Sequence, residues 1–241
     1  MNRKRCLRQL GIIGRGDHEE IMSYISQYSF DDGAAEKALI ERGDHEEIMS
    51  YISQYSFDDG AAEKALIERG DHEEIMSYIS QYSFDDGAAE KALIERGNHD
   101  EIMAYIAAYP LYDKTAKKAL IEHGDHDEIM NYVSSYPLYG AAEKALIERG
   151  NHDEILNYVS SYTLDEAAEK ALIQRGNHDE IMAYVTTNPL SDETAQVALI
   201  RRADHNEIMV YVTDYSLCRD AEKALYARGN QTEIMVYKAR H

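Results

Sequence analysis

Ile21, Tyr24, Ile25 and Tyr28 recur at spacings of three and four residues, with polar residues between them. That period predicts an amphipathic helix; a strand would alternate at every second residue. Asp17 precedes the apolar set and Glu20 stands three residues on. This is the pattern of a capping box, in which both side chains satisfy backbone N–H groups that the helix leaves orphaned. It returns at Asn98/Glu101, Asn151/Glu154 and Asp204/Glu207. A second apolar set, Ala35, Ala38 and Leu39 with Ile40 alongside, predicts another short helix starting near Ser29–Asp32. In the copy Thr163-Leu164-Asp165-Glu166 a capping box reads explicitly at its start. Arg42 in the last turn complements the helix dipole, and Gly43 stands where a left-handed C-cap is favoured.

The two-helix pattern is a tandem repeat. Gly16–Arg42 returns unchanged as Gly43–Arg69 and Gly70–Arg96. It continues with substitutions as 97–123, 124–149, 150–175, 176–202 and 203–228. Residues 1–15 read as a worn half-repeat whose basic side chains form a polar cap, and 229–241 as a copy that stops after its first helix. Eight full repeats of 26–27 residues between two half-repeats make one all-α domain over 1–241. The one-residue deletions fall between the two helices, which marks a loop. Helices of about ten residues are marginal alone, so burial against neighbouring copies must stabilise them. The expected fold is a superhelical α-solenoid.

The helix-turn-helix array resembles the α-solenoid class, which holds tetratricopeptide, HEAT and TAL-effector-like repeats. The resemblance covers nearly the whole chain and implies an extended, non-enzymatic binding surface. It transfers no functional residues. Tetratricopeptide repeats are longer and carry Trp, which this chain lacks. The Thr-Pro-Leu-His of ankyrin repeats is absent, and TAL-effector-like repeats are longer and sit in a basic protein.

Net charge is −20, and each identical repeat sets seven acids against Lys37 and Arg42 or their counterparts. Such a body repels phosphate backbones, which makes nucleic acid a poor partner and leaves modular nucleic-acid reading the weakest alternative. Cys6 and Cys218 are too few and too far apart for a disulfide framework or a zinc site, and a reducing, cytoplasmic setting fits them. Arg3-Lys4-Arg5 is not followed by the apolar core of a signal peptide, and no apolar run reaches membrane-spanning length.

Four ladders run through the copies. His18, His45, His72, His99, His126, His152, His178 and His205 each follow an N-cap. Successive members stand a repeat apart, about 8–10 Å, too far for one ion unless a neighbouring acid bridges. The HExxH metal motif fails at Met22, so no metal is expected. The arginines at 15, 42, 69, 96, 149, 175, 202 and 228 are expected to pair with the acids opening the next helix. Two tyrosine ladders, starting at Tyr24 and Tyr28, fall on the apolar face, with hydroxyls expected at the core edge. Paired acids recur in every copy, where a catalytic dyad would occur once. No position stands out from the repeat as chemistry would, so neither enzyme activity nor a cofactor is expected.

Between copies the framework barely changes, but one face of the first helix does. Its positions read Ser23/Ser26/Gln27, Ala104/Ala107/Ala108, Asn131/Ser134/Ser135, Asn157/Ser160/Ser161, Ala183/Thr186/Thr187 and Val210/Thr213/Asp214. The i, i+3, i+4 spacing makes them a stripe along the array. This stripe is the expected surface for a protein or peptide partner. Three identical copies also fit recent duplication or deliberate insertion, with an architectural role that includes end-to-end self-association.

Overall fold

The computed structural model of the chain describes residues 3–30 and 33–241, with side chains from Gln9 onward. Asp31 and Asp32, expected at the start of a second helix, lie outside the described residues. So do the side chains of Arg3, Lys4, Arg5, Cys6 and Arg8. Every regular element among the described residues is an α-helix, eighteen in all. The first helices of the repeats are α2 (His18–Ile25), α4 (His45–Ile52), α6 (His72–Ile79), α8 (His99–Ala108), α10 (His126–Ser135), α12 (His152–Ser161), α14 (His178–Val185), α16 (His205–Asp214) and α18 (Gln231–Arg240). The second helices are α1 (Arg3–Arg15), α3 (Gly33–Arg42), α5 (Gly60–Arg69), α7 (Gly87–Arg96), α9 (Lys114–His123), α11 (Ala141–Arg149), α13 (Glu166–Arg175), α15 (Glu193–Arg202) and α17 (Arg219–Arg228).

Two compact units divide the chain, Met1–Tyr132 and Val133–His241. In the first, α1, α3, α5, α7 and α9 pack in sequence as one row and α2, α4, α6 and α8 as another. In the second, α11, α13, α15 and α17 form one row and α12, α14, α16 and α18 the other. Each unit is a stack of helical hairpins, as the repeat predicts. No helix among the described residues is long and apolar enough to cross a membrane.

The capping boxes form at Asp44, Asp71, Asn98, Asn151, Asn177 and Asp204. At α2 Asp17 accepts from the Glu20 N–H, while the Glu20 carboxylate turns to Arg15 at 3.0 Å. The box expected at Thr163 does not form, because the N-cap of α13 is Asp165. Leu164 is buried and its N–H donates to the Tyr184 hydroxyl, which keeps the chain extended for two more residues. The glycine after a second helix is left-handed, as expected, at Gly16 and Gly229, but not between them. Gly70 has φ −62° and ψ 153°, not the left-handed conformation, and its N–H donates to Leu66 O at 2.7 Å. What this position needs is a close approach: a Cβ there would stand 2.6 Å from that same carbonyl. Ala203 takes the equivalent place, with its bond to Leu199 O lengthened to 2.9 Å.

The core is partly aromatic. Tyr24, Phe30, Tyr51, Phe57, Tyr78, Phe84 and Tyr105 stack in alternation with ring centroids 4.9–5.7 Å apart. The phenylalanines come from the loops, so helical periodicity does not reveal them. From Leu111 onward, leucine fills the loop position, at Leu138, Leu164 and Leu190.

The second tyrosine ladder, Tyr28, Tyr55, Tyr82, Tyr109, Tyr136, Tyr162 and Tyr215, lies half-buried or exposed at the core edge, but most hydroxyls of the ladder that starts at Tyr24 do not. Tyr51, Tyr78 and Tyr105 are fully buried and donate to Glu36, Glu63 and Glu90 at 2.8, 2.9 and 3.3 Å. In the second unit Tyr158 and Tyr184 donate to Glu143 and Glu169, both at 2.9 Å. These five glutamates are at most 2% exposed. Each also accepts backbone N–H groups from the following loop: Asp58 on Glu36, Asp85 and Asp86 on Glu63, Asp165 on Glu143. One carboxylate on a second helix thus pins the next hairpin at both its helix and its loop. Gln196 does the job differently, accepting from the Cys218 N–H and donating to Leu190 O. At Lys117 the carboxylate is lost, and Tyr132 donates to Leu111 O instead.

Burial raises the carboxyls of Glu36 and Glu143 to about 7, although the tyrosine and backbone donors pull the other way. A buried acid raised this way stabilises the fold fully below its ordinary value near 4.5 and loses that contribution as pH rises through about 7. The urea midpoint is therefore expected to fall between about pH 4.5 and about pH 7 and to level off above. Glu36→Gln with Glu143→Gln should flatten that slope, which urea melts across the range would show. Removing the anchor altogether is a harsher test. Glu63→Ala orphans Tyr78 and two loop N–H groups and is expected to cost about 2–4 kcal/mol. Glu63→Gln, with Gln196 as precedent, should cost about 1 kcal/mol or less in the same urea melts.

Candidate functional site

The variable stripe lies on the surface of the first helices. Ser26, Gln27, Ala107, Ala108, Ser134, Ser135, Ser160, Ser161, Thr186, Thr187 and Asp214 are exposed, while Ala104, Asn131, Asn157, Ala183, Val210 and Thr213 are half-buried. Several hydroxyls are spent on their own helix: Ser160, Thr186 and Thr213 each donate to the carbonyl four residues back at 2.6 Å. One bond joins successive stripe copies, from Asn157 Nδ2 to Ser134 Oγ at 2.8 Å. Ser160, Met182, Ala183, Thr186 and Thr187 line a shallow depression of about 450 Å³.

A deeper groove of about 970 Å³ lies between α15 and α17, in the row of second helices. Its floor is apolar, with Val197, Ala198, Ala224 and Ala227, and its rim carries Arg201, Arg202, Lys223 and Arg228 against Glu193 and Asp220. The sequence explains why it opens there. In earlier copies a lysine and a glutamate one turn on pair across the helix surface, as in Lys37–Glu41, Lys91–Glu95 and Lys118–Glu122. In α15 these positions are Val197 and Arg201, and in α17 they are Lys223 and Ala227. Lys223, left without its glutamate, turns back to Asp220 at 2.7 Å. So the repeat does break its own symmetry, contrary to the sequence expectation. The signal was the loss of that glutamate in three successive copies, as Gln174, Arg201 and Ala227, joined in α15 by the loss of the lysine.

The arginine ladder reaches backward more than forward. Arg15 pairs with Glu20 and Arg228 with Glu233, as expected. Arg175, however, donates to Glu148 O, Arg202 to Ile173 O and Gly176 O, and Arg228 to Ile200 O. Each reaches the C-terminal end of the preceding second helix, where orphan carbonyls and the negative dipole end attract a cation.

The histidine ladder links successive first helices. His18 Nδ1 stands 2.9 Å from Asp44 Oδ2 and 3.1 Å from Glu47 Oε1 of the next copy. The arrangement repeats at His45/Asp71/Glu74, His99/Asp125/Glu128 and His178/Asp204/Glu207. Desolvation pulls on His18, but the charge of Asp44 and hydrogen bonds to both acids raise its pKa overall, and His45 and His99 behave alike. In reverse, N–H donors and His99 hold Asp125 below its ordinary range. Where the next N-cap is asparagine, at Asn98, Asn177 and Asn230, the histidine keeps only the glutamate as an ionic partner. Gln231 stands where the ladder would place its next histidine. The bridging acid that sequence reasoning left open is thus present. The offset of 25 or 26 residues from each His to the N-cap after it was the available clue.

Comparison with protein-family models, with curated proteins and with solved structures gives no match.

Proposed function

We infer that the chain is a non-enzymatic repeat scaffold, acting as one domain over 1–241, that holds an acidic, amphipathic peptide segment of a partner protein. The observation that carries this reading is the α15–α17 groove. It is an apolar floor whose rim carries four cations against two acids, Glu193 and Asp220, in a chain of net charge −20. Charge complementarity selects a partner with carboxylates, because the surrounding acids repel competing polyanions such as nucleic acid. Apolar side chains at helical spacing would fill the floor beside Ala198 and Ala224, the helix-in-groove mode of recognition. The preformed hairpins lose little entropy when the peptide docks.

A second reading places a peptide along the first-helix stripe. It is favoured by the depression at Ser160, Met182, Ala183, Thr186 and Thr187, where stripe residues of two neighbouring copies form one concavity.

A fluorescein-labelled helical peptide with glutamates on one face and leucines on the other separates the two readings. Arg201→Glu with Lys223→Glu is expected to weaken its binding by about tenfold or more in fluorescence anisotropy. Thr186→Arg should leave it unchanged. Equal binding by the charge-reversed groove, or tight binding of a lysine version of the peptide, would sink the groove reading. Loss of binding with Thr186→Arg alone would move the partner to the stripe.

A further inference from the structure

We propose that the junctions His18/Asp44/Glu47, His45/Asp71/Glu74, His99/Asp125/Glu128 and His178/Asp204/Glu207 are binding sites for a divalent transition-metal ion, with Zn²⁺ as the type case. In each, His Nδ1 and one oxygen of each carboxylate converge, and the three ligand atoms lie within 4.8 Å of one another. An ion at about 2.0–2.2 Å from its N and O ligands needs those atoms roughly 3–3.6 Å apart. Nδ1 of His18 already stands 2.9 Å from Asp44 Oδ2 and 3.1 Å from Glu47 Oε1, so along these two edges a few tenths of an ångström of opening suffices.

The carboxylates are held for this by the capping box. Asp44 Oδ1 accepts the Glu47 N–H at 2.9 Å, and Glu47 Oε2 accepts the Asp44 N–H at 3.2 Å. One oxygen of each acid is therefore anchored to the backbone and the other is turned to the histidine of the preceding copy. This is the outer-shell support that orients ligands in metal sites. Asp71/Glu74, Asp125/Glu128 and Asp204/Glu207 are anchored in the same way. With its proton on Nε2, the His18 ring presents the Nδ1 lone pair to the ion, and Glu46 Oε2 stands 3.8 Å from Nε2 on the far side. The glutamate is buried and the histidine about half exposed, so the open side has room for water ligands. A helix N-terminus carries roughly half a positive charge, which two carboxylates outweigh. One imidazole with two carboxylates suits Zn²⁺ better than Mg²⁺ or Ca²⁺, which take all-oxygen shells.

The chain contains its own controls. Asn98, Asn177 and Asn230 put an amide nitrogen where Asp44 puts Oδ2, at 3.1, 2.8 and 3.3 Å from Nδ1 of His72, His152 and His205. An amide NH₂ does not ligate, so these junctions keep two ligands. They also show that asparagine serves as N-cap at this position.

The test is a calorimetric titration with ZnCl₂ of the full chain carrying Cys6→Ser and Cys218→Ser, in excess Mg²⁺ to occupy non-specific carboxylates. Saturation near four ions per chain is expected. Asp44→Asn, Asp71→Asn, Asp125→Asn and Asp204→Asn together should weaken binding at least tenfold with the helical circular dichroism unchanged. Asn98→Asp should add a fifth ion. No saturable binding by the parent chain, or unchanged binding by the four-asparagine variant, would overturn the proposal. Should that variant fold poorly, Asn98→Asp decides alone, and an unchanged stoichiometry there counts against the sites.

Discussion

The buried carboxylate on five of the second helices, at Glu36, Glu63, Glu90, Glu143 and Glu169, is the constraint on which the stacking of hairpins depends. Glu63 lies in an apolar layer of Ala62, Leu66 and Ile67, yet it carries the hydrogen bonds of the tyrosine and loop that follow it. Its burial is unfavourable by itself and tolerable only because every donor faces it. Leucine would fill the volume and leave two loop N–H groups and a tyrosine hydroxyl unsatisfied. The arrangement therefore fixes register: a hairpin displaced by a residue loses all of these bonds together. Apolar burial, spread in small portions along both rows, holds the hairpins together but does not by itself select one offset.

Much of this was legible in the residues. Tandem identity gave the repeat, spacing of three and four gave the helices, and Asp or Asn with Glu at the third position gave the caps. What escaped involved pairs of residues in different copies. Glu36 reads locally as one more surface acid. Its burial shows only when Tyr51, fifteen positions on, is placed against it. Gln9, Lys117 and Gln196 at the same position were the visible hint, since a free surface site would not be restricted to long polar side chains. Phe30 escaped because a loop residue has no helical period. The glycine after a second helix is left-handed only at the two ends, at Gly16 and Gly229; at Gly43, Gly70, Gly97, Gly124, Gly150 and Gly176 it is a matter of distance to a carbonyl.

The surfaces divide along the same line. Periodic reading found the stripe, because variation on one helix face is visible within a single element. The groove between α15 and α17 depends on what two neighbouring helices lack at once. A lysine–glutamate pair on an exposed helix contributes little stability, so its loss at Val197/Arg201 and Lys223/Ala227 costs the fold little. The same loss uncovers alanines and removes the i+4 acid from the helix, so that Lys223 turns back to Asp220. Positions of low energetic weight are thus where a repeat protein can acquire a distinct surface without weakening its stack.

The first-helix junction shows how one set of atoms serves two ends. The capping box uses only one oxygen of each acid, and the geometry that satisfies the backbone also aims the second oxygen at the preceding histidine. Asparagine keeps the cap and the box, as at Asn98 and Asn177, while removing the second oxygen. Stability thus places little constraint on the choice between Asp and Asn, whereas the charge at the junction depends on it entirely. Of the eight junctions, four carry aspartate and four, at Asn98, Asn151, Asn177 and Asn230, carry asparagine. That mixture is what a position produces when the fold needs its carbonyl-type oxygen and leaves the other atom for the surface chemistry to set.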